Sequence, residues 1–100
     1  MYRDPRYGYV KSIWKAGDLS SFAEVFRIVP KAVVAKDMGV NFERLAMRIY
    51  EPQHFRFREI IEIALLIEVE PAAMIQLVIP DLEEYINNVK SGKIVKKKRQ

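Results

Sequence analysis

Residues 31–49 read KAVVAKDMGVNFERLAMRI, and this stretch decides how the rest of the chain is understood. It divides into two short helices joined by a tight turn. Val33, Val34 and Met38 give the first helix a short apolar face, while Ala35, one helical turn before Gly39, is small enough for a second backbone to pass close by. Gly39 ends that helix, because left-handed backbone costs Gly nothing and most other residues about 1 kcal/mol. Val40 is the apolar residue after the turn. Asn41 is an N-cap whose side chain accepts from an orphan N–H about three residues on, opening a helix over 42–49.

On this second helix Phe42, Leu45, Ala46 and Ile49 fall at i, i+3, i+4 and i+7, a spacing that points them inward. Arg44, Met47 and Arg48 then face outward. Arg44 and Arg48 are like charges four residues apart, which slightly destabilises their own helix, so an external anion explains them more readily. The Ala-x-x-x-Gly-Val core, with Leu45 six residues after Gly39, resembles the helix-turn-helix of the lambda-repressor-like (xenobiotic-response-element) family of DNA-binding domains. The resemblance implies an all-α, compact domain of five to six helices, to which this chain adds a C-terminal helix. It further implies double-stranded DNA as partner, with the second helix in the major groove. Arg44 and Arg48 would then contact guanine or phosphate, Asn41 and Met47 would lie near base edges, and Lys31 and Lys36 would meet the DNA backbone. In the family the polar loop after this helix often meets phosphate, a role that would fall to Gln53, His54 and Arg56. A solvated face and a solvated loop are the competing readings of the same residues.

The outer bounds come from length and composition. One hundred residues, half of them hydrophobic, suffice for a single core, assigned to residues 1–92 with the helix-turn-helix at 31–49. The longest apolar run, IIEIALLIEVE at 60–70, is interrupted by Glu62 and Glu68, too short and too charged to span a bilayer. No signal segment is expected at the start, since Arg3, Asp4 and Arg6 fall within the first six residues. With no cysteine there is neither a disulfide framework nor a thiolate metal site. A cytoplasmic protein without a membrane partner is the expectation.

The net charge of +4 is unevenly spread. Lys93, Lys96, Lys97, Lys98 and Arg99 lie in the last eight residues, so residues 1–92 carry 12 basic against 13 acidic side chains. Within that body, residues 1–50 hold nine basic and five acidic residues, whereas 51–92 hold three and eight. A positive half beside a negative half suits one DNA-facing surface and one that does not bind DNA. The run of like charges at 93–100 is expected to be a disordered basic tail, either an electrostatic arm or a solubilising end.

In chain order, residues 1–5 read as a frayed end, and Tyr9, Val10, Ile13 and Trp14 form the apolar face of a first helix ended by Gly17. Trp14 belongs to the core in this reading. Ser20 and Ser21 are N-cap candidates, with Glu24 three residues after Ser21 in a capping-box arrangement. Phe22, Val25, Phe26 and Val29 mark a short helix before Pro30. Residues 58–69 predict a helix apolar nearly all round, buried by other elements or by a partner chain. Pro71 starts a further helix through Val78, a break follows at 79–81, and Leu82, Tyr85, Ile86 and Val89 carry on as an amphipathic stripe.

Catalysis has no visible machinery. There is no nucleophile beside a base, no Gly-rich phosphate loop and no distinctive carboxylate pair; Glu59 and Glu62 share a helix face of the kind that is usually solvated. His54 has no metal-ligand spacing around it, and neither a cofactor nor a small-molecule substrate is indicated. The expectation is therefore a non-enzymatic, sequence-specific DNA-binding protein, a small transcriptional regulator that forms a homodimer. The alternative is a protein-interaction or dimerisation module that keeps the helix-turn-helix fold without binding DNA. It draws on the near-neutral body and the apolar surplus at Leu65, Leu66 and the last helix.

Overall fold

Apolar residues recurring at helical spacing, divided by Gly17, Pro30, Gly39, Pro52, Pro71 and Pro80, produce an all-helical chain in the computed structural model, which describes residues 3–93. Among these residues seven α-helices follow one another: α1 Arg6–Lys15, α2 Val25–Ile28, α3 Lys31–Met38, α4 Phe42–Tyr50, α5 Phe57–Ile67, α6 Pro71–Val78 and α7 Glu83–Lys90. Three single 3-10 turns, Phe22–Glu24, Pro52–His54 and Ile79–Leu82, lead into or link them. The helix expected at the C-terminal end is α7. Residues 94–100, nearly all of the basic tail, lie outside the described residues.

The core is filled by Tyr7 and Val10 of α1, Phe22, Val25 and Phe26 around α2, Val34 and Ala35 of α3, Leu45 of α4, Ile60, Ile63 and Ile67 of α5, and Met74 of α6. Phe22 is its aromatic centre, meeting Phe26 edge-on at 5.2 Å and Phe55 at 5.3 Å between ring centroids. Trp14 packs half-buried against the same core.

Several facings differ from the sequence reading. On α1 the buried aromatic is Tyr7, not Tyr9, because the phenol of Tyr7 donates to Asp37 Oδ2 on α3 at 2.7 Å while Tyr9 stays exposed. Burial and that bond push the Tyr7 phenol well above its ordinary pKa. The N-terminus is not frayed at Asp4. Its buried carboxylate accepts from the Arg6 N–H at 2.9 Å and from the Arg6 guanidinium at 2.8 Å, tying down the start of α1. Glu24 accepts from the N–H of Ser20 at 2.7 Å, one residue before the capping partner that the spacing suggests.

Helix α5 is not buried all round. Ile60, Ile63, Ala64 and Ile67 are covered, whereas Phe57, Ile61 and Leu65, at i, i+4 and i+8, lie exposed along one stripe. It ends at Glu68, which takes the left-handed conformation (φ 69°) that the chain elsewhere gives to glycine. Glu68 is flanked by Lys11 at 3.6 Å and Arg3 at 3.8 Å. Asp81 is also engaged internally. Its Oδ2 accepts from the Ala23 N–H at 2.9 Å, joining the turn before α7 to the turn before α2. Burial pushes its carboxyl above the usual carboxylate value.

Candidate nucleic-acid interface

Gly39 closes α3 in left-handed backbone (φ 71°, ψ 33°), and the N–H of Val40 returns to the Ala35 carbonyl at 3.0 Å. A Cβ on Gly39 would meet nothing within 4 Å, so the glycine is required by backbone conformation and not by a close helix approach. Asn41 then caps α4: Arg44 N–H donates to Asn41 Oδ1 at 2.9 Å. Turn and cap together set α4 against α3 with Leu45 buried between them and the core.

The outward face of α4 carries Glu43, Arg44, Met47 and Tyr50, and Phe42 joins it at 47 % exposure instead of pointing inward. Phe42 sits at the first turn, ahead of the point where α4 meets the core, so the i to i+7 stripe does not extend back to it. Arg44 is exposed and has no carboxylate at ion-pair distance among the described residues. Lys36 is exposed on α3, Lys31 is half-buried at its start, and Arg56 is exposed just before α5.

Arg48 does not face outward with Arg44. Its guanidinium lies against the carboxylate of Glu59, with side-chain exposures of 17 % and 7 %. Glu59 is held in turn, its Oε1 accepting the N–H of Arg56 at 2.8 Å from the third position of α5. One carboxylate thus caps α5 and clamps α4, and Arg48 is withdrawn from any external anion. The solvated pair expected at Glu59 and Glu62 divides into a buried Glu59 and an exposed Glu62.

Gln53 and His54 stand beside acidic side chains. The Pro52–His54 turn packs beside the Ile79–Leu82 turn. Gln53 lines a cleft with Glu51, Asp81 and Glu84, and His54 Nε2 lies 3.4 Å from Glu51. The carboxylates lining the cleft beside Gln53, and Glu51 beside His54, oppose a phosphate at these positions. Of the candidate residues, Lys36, Arg44 and Arg56 are exposed and have no ion-pair partner among the described residues, Met47 exposes its thioether, and Asn41 retains its amide donors beside the cap.

Among the described residues no cluster of three or more His, Cys, Asp or Glu could hold a metal ion, and no single helix is long and apolar enough to cross a membrane. Comparison with family models, with curated proteins and with solved structures returns no match.

Proposed function

We propose that the chain is a lambda-repressor-like, non-enzymatic DNA-binding regulator that presents α4 to the major groove. The observation carrying this reading is Arg44. It is an exposed guanidinium without a carboxylate partner among the described residues, on a helix whose entry is set by a left-handed glycine and an asparagine cap. An arginine so placed can meet guanine O6 and N7 with two parallel hydrogen bonds. Met47 and Phe42 supply apolar contact suited to a thymine methyl group, and Lys36 and Arg56 supply phosphate neutralisation. Two copies joined through Ile61 and Leu65 of α5 would read paired half-sites.

The second reading, a protein-interaction module on the same scaffold, is favoured by one feature of α4. Phe42, Met47 and Tyr50 stand exposed around Arg44, three large hydrophobic side chains on one short helix. Titration of labelled duplex DNA at rising salt separates the two. A DNA-binding protein loses affinity log-linearly with salt and loses it further in Arg44→Ala, whereas an interaction module shows no saturable retention on duplex at low salt.

A further inference from the structure

The acidic half of the chain builds a surface of its own, remote in character from a DNA contact. Phe57, Ile60, Ile75, Ile79 and Leu82 line a half-open apolar groove of about 390 Å³ between the start of α5, α6 and the turn after it. Phe57 is 75 % exposed and Ile79 49 %, so its rim is unpartnered hydrocarbon. The groove shares two lining residues, Pro52 and Gln53, with a second cleft of about 360 Å³ that is lined by Glu51, Asp81 and Glu84 together with Tyr50 and Tyr85. Apolar and acidic parts therefore lie side by side. Asp81 is partly satisfied by the Ala23 N–H and Glu51 faces His54, while Glu84 projects from the first turn of α7 without an ion-pair partner among the described residues.

Electrostatics narrows the choice of occupant. Three carboxylates repel phosphate and fatty-acid carboxylate, and they stabilise ammonium or guanidinium groups. Apolar anchors beside a row of like charges match the amphipathic helix-in-groove mode, in which side chains at i, i+3 or i+4, and i+7 enter the groove and flanking charges set the polarity. We propose that this groove and cleft bind a cationic amphipathic segment of a partner protein, its apolar side chains against Phe57, Ile79 and Leu82 and its Lys or Arg side chains over Glu51 and Glu84. The site does not depend on Arg44 or on DNA binding.

The test uses the full chain and a labelled synthetic helix of about 14 residues with leucines at i, i+3, i+4 and i+7 and lysines on both flanks, read by anisotropy. Saturable one-to-one binding that weakens with salt is expected, along with about tenfold loss in the double variant Glu51→Lys/Glu84→Lys and a similar loss in Ile79→Asp. Both sites are exposed enough for the fold to survive, which a circular-dichroism melt checks. Glu62→Lys, which changes charge outside this surface, is expected to leave binding within about twofold. Equal binding of a version with glutamates in place of the lysines, or equal loss in Glu62→Lys, would overturn the proposal. Saturable binding of a naphthyl probe together with no peptide binding would assign the groove to a small molecule and overturn it as well.

Discussion

Arg48 and Glu59 are eleven residues apart in sequence and form a largely buried ion pair that joins α4 to the first turn of α5. Because Glu59 also accepts the Arg56 N–H, one carboxylate satisfies a helix-start donor and a guanidinium at once. The pair divides the two arginines of α4 into an internal one and an external one. It also fixes which face of α4 is free.

Removing one partner leaves the other charge buried. Glu59→Ala is expected to cost about 3 kcal/mol, toward the lower end of the range for broken buried pairs because Arg48 keeps some solvent contact. Arg48→Met should cost a similar amount, and the double variant Arg48→Met/Glu59→Ala less than the two single losses combined. Urea denaturation of the four proteins checks this. Additive losses would mean that the pair contributes nothing as a pair.

Gly39 and Glu68 occupy the same left-handed region, φ 71° and 69°, at the ends of α3 and α5. With empty space around the position of a Gly39 Cβ, Gly39→Ala has only the backbone cost to meet, about 1 kcal/mol of destabilisation. Glu68→Gly should go the other way, by up to about 1 kcal/mol. The gain is reduced by whatever its solvent-exposed pairing with Lys11 and Arg3 contributes, which for such pairs is small. Thermal melts of both variants read the two signs.

These two helix ends show what the chain reveals of itself. Gly39, the Asn41 cap and the start of α6 at Pro71 are legible because caps act over three or four residues. The facing of short helices is less so. Tyr7 and Tyr9 are equally plausible core residues until Asp37 of α3 supplies the hydroxyl's partner. Phe42 satisfies an apolar spacing that the packing of α4 does not use. Glu59 is within reach of a local reading: starting α5 at Phe57 puts a glutamate at the third helical position, where it can accept the N–H before the helix. Its second bond, to Arg48, is a tertiary contact with no periodic signature. The acidic cleft is assembled from two turns well separated along the chain, so the distribution of charge in the sequence implies only that a negative surface exists.

Acid should unlock the N-terminus. The Arg6 side chain and backbone N–H hold the Asp4 carboxyl down at about 2, against an ordinary 3.8. A lowered folded value means that the stabilisation is present above the ordinary pKa and is lost as pH falls from about 4 toward 2. The stability difference between wild type and Asp4→Asn, followed by urea unfolding, is expected to shrink across that window. Asp81 has the opposite sign: burial raises it, so its charged form opposes folding and its contribution worsens as pH rises through the folded value. Asp81→Asn should therefore show a difference curve of inverse slope.

The exposed stripe on α5 leads to an expectation about assembly. Leu65 is 63 % exposed and Ile61 lies beside it, so sedimentation at high micromolar concentration is expected to show a dimer. Leu65→Glu, at a site where the fold tolerates charge, should return the monomer. A monomeric wild-type protein at that concentration would remove the two-fold reading.

Arg44 and Arg48 are expected to fail in different ways, and that contrast tests the functional proposal most directly. Arg44→Ala removes an exposed side chain with no carboxylate partner among the described residues, so the melting temperature should stay within about 3 °C of wild type, as for surface substitutions worth up to about 0.5 kcal/mol. If its guanidinium is bidentate to guanine, the same change costs about 1 to 3 kcal/mol on a duplex selected from a random pool and much less on unselected DNA. Arg48→Ala should do the reverse, lowering stability first and DNA affinity only as the folded population falls. Deleting residues 93–100 removes five cations and should weaken all duplexes alike, flattening the salt dependence by up to roughly 0.9 log unit for each phosphate no longer neutralised. Equal losses on selected and unselected DNA in Arg44→Ala would make that residue a backbone contact. No loss on either, with the fold intact, would leave α4 as a protein-facing surface.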